Sequence, residues 1–166
     1  AFSEGRHELA YWSMDNVDNI EVIRSTTILV DNTAPVTEHH IGSPYYVAGG
    51  VNYITPATPL SFTAVDPVAS EVSVGVARIE TAVDGGQWQT YTQPLKFAEG
   101  RHIIVYRAID NVGNTEAGKT ISIQSDATAP VSAWLVNSGE HKELGGKFYL
   151  NALGKLALES SDPVVG

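Results

Sequence analysis

The sequence contains an internal repeat. Residues 2–36 and 97–131 align without a gap at an offset of 95, and 17 of the 35 aligned positions are identical. A second similarity runs from TAPV to DPV in residues 33–68 and again in residues 128–164, where the offset grows from 95 to 96. Self-similarity at a fixed period is the signature of a repeat architecture. One structural unit therefore comprises about 95 residues.

The repeat divides the chain into one complete copy and two incomplete copies. We assign residues 1–34 to the C-terminal part of a preceding repeat, residues 35–128 to a complete repeat and residues 129–166 to the N-terminal part of a following repeat. We interpret the chain as an excerpt from a longer tandem array. The alternative is a natural short subunit whose incomplete ends complement neighbouring molecules by strand addition.

The composition favours an acidic protein with enough apolar residues for a core. Hydrophobic residues make up 43% of the chain, whereas only 17% of its residues are charged. The formal net charge of −9 argues against a nucleic-acid partner, because affinity for phosphate backbones rests mainly on basic side chains. The same charge makes cations the more natural small partners. The absence of cysteine excludes disulfides and thiolate metal sites.

Membrane and secretion signals are also missing from the sequence. No run approaches the roughly 18 consecutive apolar residues of a transmembrane helix, so we expect no transmembrane segment. The first residues, AFSEGRHEL, lack the basic head and apolar run of a signal peptide.

Strand-like runs bounded by turn residues recur throughout the complete copy. They predict seven strands, at residues 36–41, 60–64, 76–83, 87–92, 94–97, 102–109 and 119–125. The turn Asp84-Gly85-Gly86 is typical of a hairpin, because glycine reaches positive φ without steric cost. Short strands at this spacing favour an antiparallel β-sandwich.

Alternation along the strand at residues 102–109 predicts which face is buried. Ile104, Tyr106 and Ala108 share one face, and Leu9 and Tyr11 are the counterparts of the first two in the incomplete first copy. This face keeps its apolar character between the copies, whereas the opposite face takes on charge. Because successive strand residues point to opposite sides, the apolar face is predicted to be the core side.

Residues 100–116, GRHIIVYRAIDNVGNTE, followed by DATAP, resemble bacterial immunoglobulin-like repeats that occur in tandem in large surface and secreted proteins. The shared motifs are a Gly-x-His-x-x-x-Tyr strand, an Asp-x-x-Gly-Asn turn and an Asp-x-Thr-Ala-Pro linker. The resemblance implies an all-β fold of tandem immunoglobulin-like repeats, each a seven-stranded antiparallel β-sandwich of about 95 residues. The first copy departs from the motif at Asp18, where the complete copy has Gly113.

The resemblance implies a structural role. Such modules serve as adhesins, stalks and spacers, so we expect a non-catalytic structural or adhesive module of a long extracellular or cell-surface bacterial protein, acting as stalk, spacer or filament component. Its partners would be neighbouring immunoglobulin-like repeats of the same chain or assembly. The sequence has no GxSxG nucleophile elbow, no HExxH zinc motif and no phosphate-cradling glycine loop. We therefore expect that the protein is not an enzyme.

Acidic residues are predicted to gather where one repeat joins the next. In a seven-stranded sandwich the entering linker, the loop after the second strand and the loop before the last strand share one end. The residues expected at this junction are Glu4, Asp31, Asn32, Asp66 and Asp110. Converging hard oxygen ligands suit Ca²⁺, and the DNTAP linker is similar to the linker of cadherins, where calcium stiffens the joint. The alternative is ordinary turn formation, because Asp and Asn hydrogen-bond their own backbone.

The same reasoning predicts a second calcium site one repeat later. Its candidate ligands are Glu99, Asp126 and Asp162. They follow from the period of the repeat, since Glu99 and Asp126 stand at the positions of Glu4 and Asp31.

Aromatic residues suggest an alternative function. Side chains that could stack on sugar rings are Trp12, Trp88, Trp134, Tyr45 and Tyr46. If several of them shared one face, the protein would be a carbohydrate-binding accessory module of a secreted polysaccharide-degrading enzyme, with cell-surface glycans as possible partners. Trp12 has Arg107 as its counterpart, so such a site would be specific to one copy.

Overall fold

The computed structural model describes residues 2–138 and 141–162 of the chain. The chain divides into two compact units, residues 1–125 and residues 126–166. The described residues form β-strands and no helix, so the fold is all-β. None of these residues therefore belongs to a helix that could cross a membrane.

The first unit contains three sheets. Its strands are β1 (Gly5–Tyr11), β2 (Arg24–Val30), β3 (Val36–Ile41), β4 (Tyr45–Ala48), β5 (Val51–Ile54), β6 (Leu60–Val65), β7 (Val76–Val83), β8 (Gln89–Thr90), β9 (Gly100–Asp110) and β10 (Lys119–Ser125). The pairs β1–β2 and β3–β6 are antiparallel, and the other six strands form one sheet in the order β4-β5-β10-β9-β7-β8. Pairing in this sheet is antiparallel except between β5 and β10, which run parallel.

The core lies between the β3–β6 pair and the six-stranded sheet, in a sandwich-like arrangement. Leu60 and Phe62 of β6 are buried against apolar side chains of β5, β9 and β10. The ring of Phe62 lies 4.8 Å from that of Tyr106 and 5.2 Å from that of Tyr91. Removal of this apolar surface from water is the main stabilising contribution to such a fold.

The predicted core side of β9 is confirmed in the complete copy. Ile104, Tyr106 and Ala108 are all buried. Their counterparts in the first copy behave differently, because Leu9 and Tyr11 of β1 are exposed. The β1–β2 hairpin therefore turns an apolar face outward.

The complete copy differs from the predicted seven strands in two places. Residues 45–54 form the hairpin β4–β5, for which no strand was predicted, and its turn is Gly49-Gly50 with φ of 56° and 79°. Two successive residues with positive φ are the requirement of a tight two-residue hairpin turn, which glycine meets readily. The predicted strand at residues 94–97 is wrong, because only Leu95 pairs there, in an isolated bridge to Leu60.

The second unit contains four described strands. They are β11 (Val131–Ser138), β12 (His141–Leu144), β13 (Lys147–Leu150) and β14 (Lys155–Ser161). β11 pairs with β14 and β12 pairs with β13, both antiparallel. The turn between β12 and β13 is Gly145-Gly146, again with positive φ at both residues.

Candidate metal centre

Three aspartates from distant parts of the sequence meet in the first unit. Asp31 follows β2, Asp66 follows β6 and Asp110 ends β9. One carboxylate oxygen from each lies within 4.8 Å of those from the other two, and all three residues are buried. An ion with about 2.3–2.6 Å bonds to oxygen, as calcium forms, could span such separations. Within the ranges 2–138 and 141–162, this is the one such group of three acidic or histidine residues.

The loop after β9 determines the position of Asp110. Its Oδ1 accepts hydrogen bonds from the backbone N–H groups of Val112, Gly113 and Asn114 at 2.6–2.9 Å. Gly113 has φ of 100°, a conformation that side chains other than glycine rarely adopt. Burial acts to raise the pKa of Asp110, but the hydrogen bonds from Asn114, Val112 and Gly113 outweigh it and hold the pKa below its ordinary value. Asp110 is therefore ionised at neutral pH.

Asp66 is held by the segment that precedes β7. Its Oδ2 accepts hydrogen bonds from the backbone N–H groups of Val74 at 3.0 Å and Gly75 at 2.7 Å, and from the Ser73 hydroxyl at 2.8 Å. Its Oδ1 is buried and accepts no hydrogen bond from the described residues. A buried carboxylate oxygen without a donor is costly, because it has lost its hydration without compensation. This atom is the feature of the cluster that turn formation does not explain.

Asp31 connects the linker to the loops of the complete repeat. Its Oδ1 accepts the N–H of Thr33 at 3.0 Å, which forms a local turn, and its Oδ2 accepts the N–H of Val74 at 3.0 Å. The Asn114 side chain donates from Nδ2 to the backbone oxygen of Asp31 at 3.0 Å and to Oδ2 of Asp110 at 2.7 Å. The cluster thus connects the C-terminal end of β2 to the C-terminal ends of β6 and β9.

Sequence reasoning did not name Asn114 and Val74 as parts of this site. Asn114 stands in the Asp-x-x-Gly-Asn turn, so its position was visible in the motif, although its bond across to Asp31 was not. Val74 contributes only a backbone N–H, shared by Asp31 and Asp66. A backbone donor leaves no signal in residue type, which is why the pattern could not reveal it.

The other two residues predicted for this junction lie outside the three-aspartate group. Glu4 directs its Oε1 to the hydroxyl of Thr33, which donates to it at 2.7 Å, so it supports the linker near Asp31. Asn32 is exposed.

The residues of the predicted second site lie in different units. Glu99 belongs to the first unit, whereas Asp126 and Asp162 belong to the second. Oδ1 of Asp126 accepts the N–H of Thr128 at 2.8 Å, which repeats the turn formed by Asp31 one period earlier. Asp162 is exposed.

The aromatic residues proposed for sugar stacking belong to separate structural elements. Tyr45 and Tyr46 lie on β4, whereas Trp88 precedes β8 at the opposite edge of the same sheet. The guanidinium of Arg107 lies 4.2 Å from the centre of the Trp88 ring and covers one of its faces. Trp12 follows β1 outside this sheet, and Trp134 lies on β11 of the second unit.

A scan against protein-family models finds no match for this sequence, and a search of curated proteins likewise finds no similar chain. The function is therefore inferred from the residues themselves.

Proposed function

We propose that this chain is a non-catalytic structural module, built of tandem immunoglobulin-like repeats, of a long extracellular or cell-surface bacterial protein. In this proposal a Ca²⁺ ion at the three-aspartate cluster stiffens the joint between successive repeats, so that the array acts as a stalk or spacer. The observation that carries the proposal is the burial of three carboxylates within 4.8 Å of one another, one of which has an oxygen with no donor among the described residues.

The location of the cluster supports a mechanical role. Asp31 lies in the linker between β2, the last strand of one copy, and β3, the first strand of the next. Asp66 follows β6 and Asp110 is the last residue of β9, both in the complete copy. An ion bound to all three would therefore couple the linker to the C-terminal ends of β6 and β9 in the following repeat, and would stiffen the joint.

The charge of the cluster supports a cation as the ligand. Three buried carboxylates repel one another, and the donors around them are neutral amides and hydroxyls rather than lysine or arginine. Buried charges are normally paired or bound to a metal. An all-oxygen donor set favours hard cations, of which calcium accepts the widest range of geometries.

The test is calorimetric titration of the metal-free full chain with Ca²⁺ and, separately, with Mg²⁺. In the monomeric chain we expect one calcium site, with a dissociation constant of about 10⁻⁴–10⁻³ M as in extracellular modules. Asp66→Asn should remove binding, because it takes a charge from the centre of the cluster. Asp18→Asn is the matched control, since Asp18 is an exposed loop residue with φ of 65° that Asn also tolerates.

Two results would contradict the proposal. The first is the absence of both binding heat and a calcium-dependent change in melting temperature in the folded wild-type chain. The second is calcium binding by the monomeric chain that Asp66→Asn leaves intact. Glycan binding by the full chain that is lost in Tyr46→Ala would instead favour the carbohydrate-binding alternative, because Tyr46 is the most exposed of the five aromatic residues.

A further inference from the structure

The second unit carries an open apolar groove of about 470 Å³. Its lining residues are Trp134, Val136, Phe148, Leu150, Leu156 and Leu158. Two of them are largely exposed, Leu156 at 60% and Leu158 at 80%. A large contiguous patch of exposed apolar surface is typical of an interaction site.

Strand register identifies the same surface in the complete copy. β11 and β14 pair Trp134 with Leu158, as β3 and β6 pair His39 with Phe62. The two-glycine turns of β12–β13 and β4–β5 also correspond, so Leu150 ends β13 where Ile54 ends β5. In this correspondence the groove residues match His39, Ile41, Asn52, Ile54, Leu60 and Phe62.

In the complete copy β9 and β10 cover the part of this surface formed by Ile54, Leu60 and Phe62, whereas His39, Ile41 and Asn52 line an open pocket. Leu60 is 1% exposed and Phe62 is 5% exposed, because they pack in one cluster with Ile104, Tyr106 and Ile123. Backbone pairing also holds the β9–β10 pair in place, because β10 pairs in parallel with β5. The complete copy thus shows that an antiparallel strand pair, β9–β10, can pack on a surface of this kind.

The β1–β2 hairpin is the counterpart of that cover. It is related to β9–β10 by the gapless repeat, and it pairs Leu9 with Thr26 where β9–β10 pairs Ile104 with Ile121. Leu9 is 40% exposed and Tyr11 is 48% exposed, whereas Ile104 and Tyr106 are 0% and 5% exposed. An isolated two-stranded hairpin with an open apolar face is marginally stable in water.

We propose that, in a solution of this 166-residue chain, the β1–β2 hairpin of one copy docks into the groove of the second unit of another copy. The hairpin would cover the β11–β14 and β12–β13 strands as β9–β10 covers β3–β6 and β4–β5. Leu9 and Tyr11 then enter the groove beside Leu158 and Trp134. The two surfaces differ, so the contact is head-to-tail and generates chains or rings of molecules.

The strand edges are compatible with this docking. β2 pairs only with β1, and β13 pairs only with β12, among the described strands. By the register of β10 on β5, Ile28 of the hairpin aligns with Phe148 and Val30 aligns with Leu150. The free backbone groups of both edges are thereby satisfied, as in other cases of strand addition.

A polar contact gives the docking a defined register. In the complete copy Glu116 forms an ion pair with Lys119 at 2.7 Å and accepts hydrogen bonds from Thr37 of β3. The hairpin already contains the matching ion pair, Glu21–Arg24, at 2.9 Å. The residue at the position of Thr37 in the second unit is Ser132, which keeps both donors.

Sedimentation velocity of the full chain across the micromolar range tests the proposal. We expect the mass of the wild type to grow with concentration. Leu158→Asp destroys the groove and Leu9→Asp destroys the hairpin face, so each variant alone should remain monomeric. A mixture of the two variants should form a dimer and nothing larger, because one intact hairpin and one intact groove are then present per pair.

The controls place the same charge outside the proposed contact. Leu29→Asp lies on the opposite face of the hairpin, and Leu144→Asp lies on β12 outside the groove lining. Both variants should associate like the wild type. A monomeric wild type, association that survives Leu9→Asp, or a mixture that forms no dimer would each overturn the proposal. Unfolding of the second unit by Leu158→Asp would not affect the result for the mixture. In the mixture this variant supplies only the hairpin, and Leu9→Asp supplies the groove.

Discussion

Glu116 holds Thr37 through both of its carboxylate oxygens. Oε1 accepts the backbone N–H of Thr37 at 3.0 Å, and Oε2 accepts its hydroxyl at 2.5 Å. The same Oε2 accepts the N–H of Ala108 at 3.1 Å, and Lys119 pairs with Oε1 at 2.7 Å. One half-buried carboxylate thus joins β3, in one sheet of the complete copy, to β9 and β10 in the other.

Glu116→Gln should destabilise the chain. The amide keeps the shape of the side chain but loses the charge, and its NH₂ group cannot accept the hydrogen bonds of the oxygen it replaces. We expect a loss of about 1.5–3 kcal/mol in the free energy of unfolding, the range for hydrogen bonds to charged groups. Urea unfolding at neutral pH measures it. Glu38→Gln, an exposed substitution on the same strand β3, should change the stability little.

The contribution of Glu116 should depend on pH in a defined direction. Burial acts to raise its pKa, but hydrogen bonds from Lys119, Thr37 and Ala108 outweigh it and hold the pKa below the ordinary value of 4.5. A carboxyl whose pKa is lower in the folded state stabilises that state above the ordinary pKa, and the stabilisation is lost as the pH falls through the folded pKa. The stability difference between wild type and Glu116→Gln should therefore shrink as the solution is acidified below pH 4.5. A difference that stays constant with pH would contradict the charged role.

Much of the fold follows from the pattern of the sequence. The runs that became β3, β6, β7 and β10 alternate or end at turn residues, so local chemistry was enough to predict them. The β4–β5 hairpin was missed although Gly49-Gly50 between YYVA and VNYI is a strong hairpin signal. The parallel pairing of β5 with β10 could not be predicted, because it joins segments about 70 residues apart and no residue pattern encodes it.

The candidate site shows a similar division. The repeat and the order of the predicted strands were sufficient to predict that Asp31, Asp66 and Asp110 lie at one end of the sandwich. In the structure these three residues lie together. Glu4 lies on the linker because the hydroxyl of Thr33 donates to it. That contact depends on the angle between the hairpin and the linker, which strand order alone does not determine.

Leu60→Ala and Leu156→Ala make a matched pair across the repeat. Leu60 is fully buried, so its truncation should cost about 2–5 kcal/mol and reduce the melting temperature of the first unit. Leu156 occupies the same position in the open groove, so its truncation in a dilute, monomeric sample should cost far less. At concentrations where copies associate, Leu156→Ala should weaken the association. Thermal melting at low and high protein concentration separates the two effects.

Calcium should protect the linker against hydrogen exchange. The amides of Thr33 and Val74 donate to Asp31, and those of Val74 and Gly75 donate to Asp66, so an ion that holds these carboxylates also holds their donors. At a hundredfold excess over the dissociation constant the folded state gains roughly 2.7 kcal/mol. Exchange at residues 31–35 and 72–75 should slow accordingly in calcium and recover in chelator. Asp66→Asn should show the fast rates in both solutions.

The repeat predicts that docking between copies assembles a second metal centre. Asp15 of the hairpin is the counterpart of Asp110, and Asp126 and Asp162 are the counterparts of Asp31 and Asp66. Asp15 already has the matching turn, because Asn19 donates to it from its side chain and its backbone and Val17 donates from its backbone; these bonds lower its pKa. If both the calcium proposal and the docking proposal hold, calcium should favour association.

Asp15→Asn tests this second centre. We expect calcium to lower the concentration needed for half-maximal association of the wild type, by up to roughly a hundredfold at a hundredfold excess over its dissociation constant. Asp15→Asn should associate in chelator like the wild type but lose the calcium effect, whereas Asp18→Asn should keep it. Sedimentation of the three chains in calcium and in chelator provides the comparison. Wild-type association that is the same in calcium and in chelator would refute the second metal centre. It would not contradict the docking of the hairpin, because the apolar contact does not require the ion.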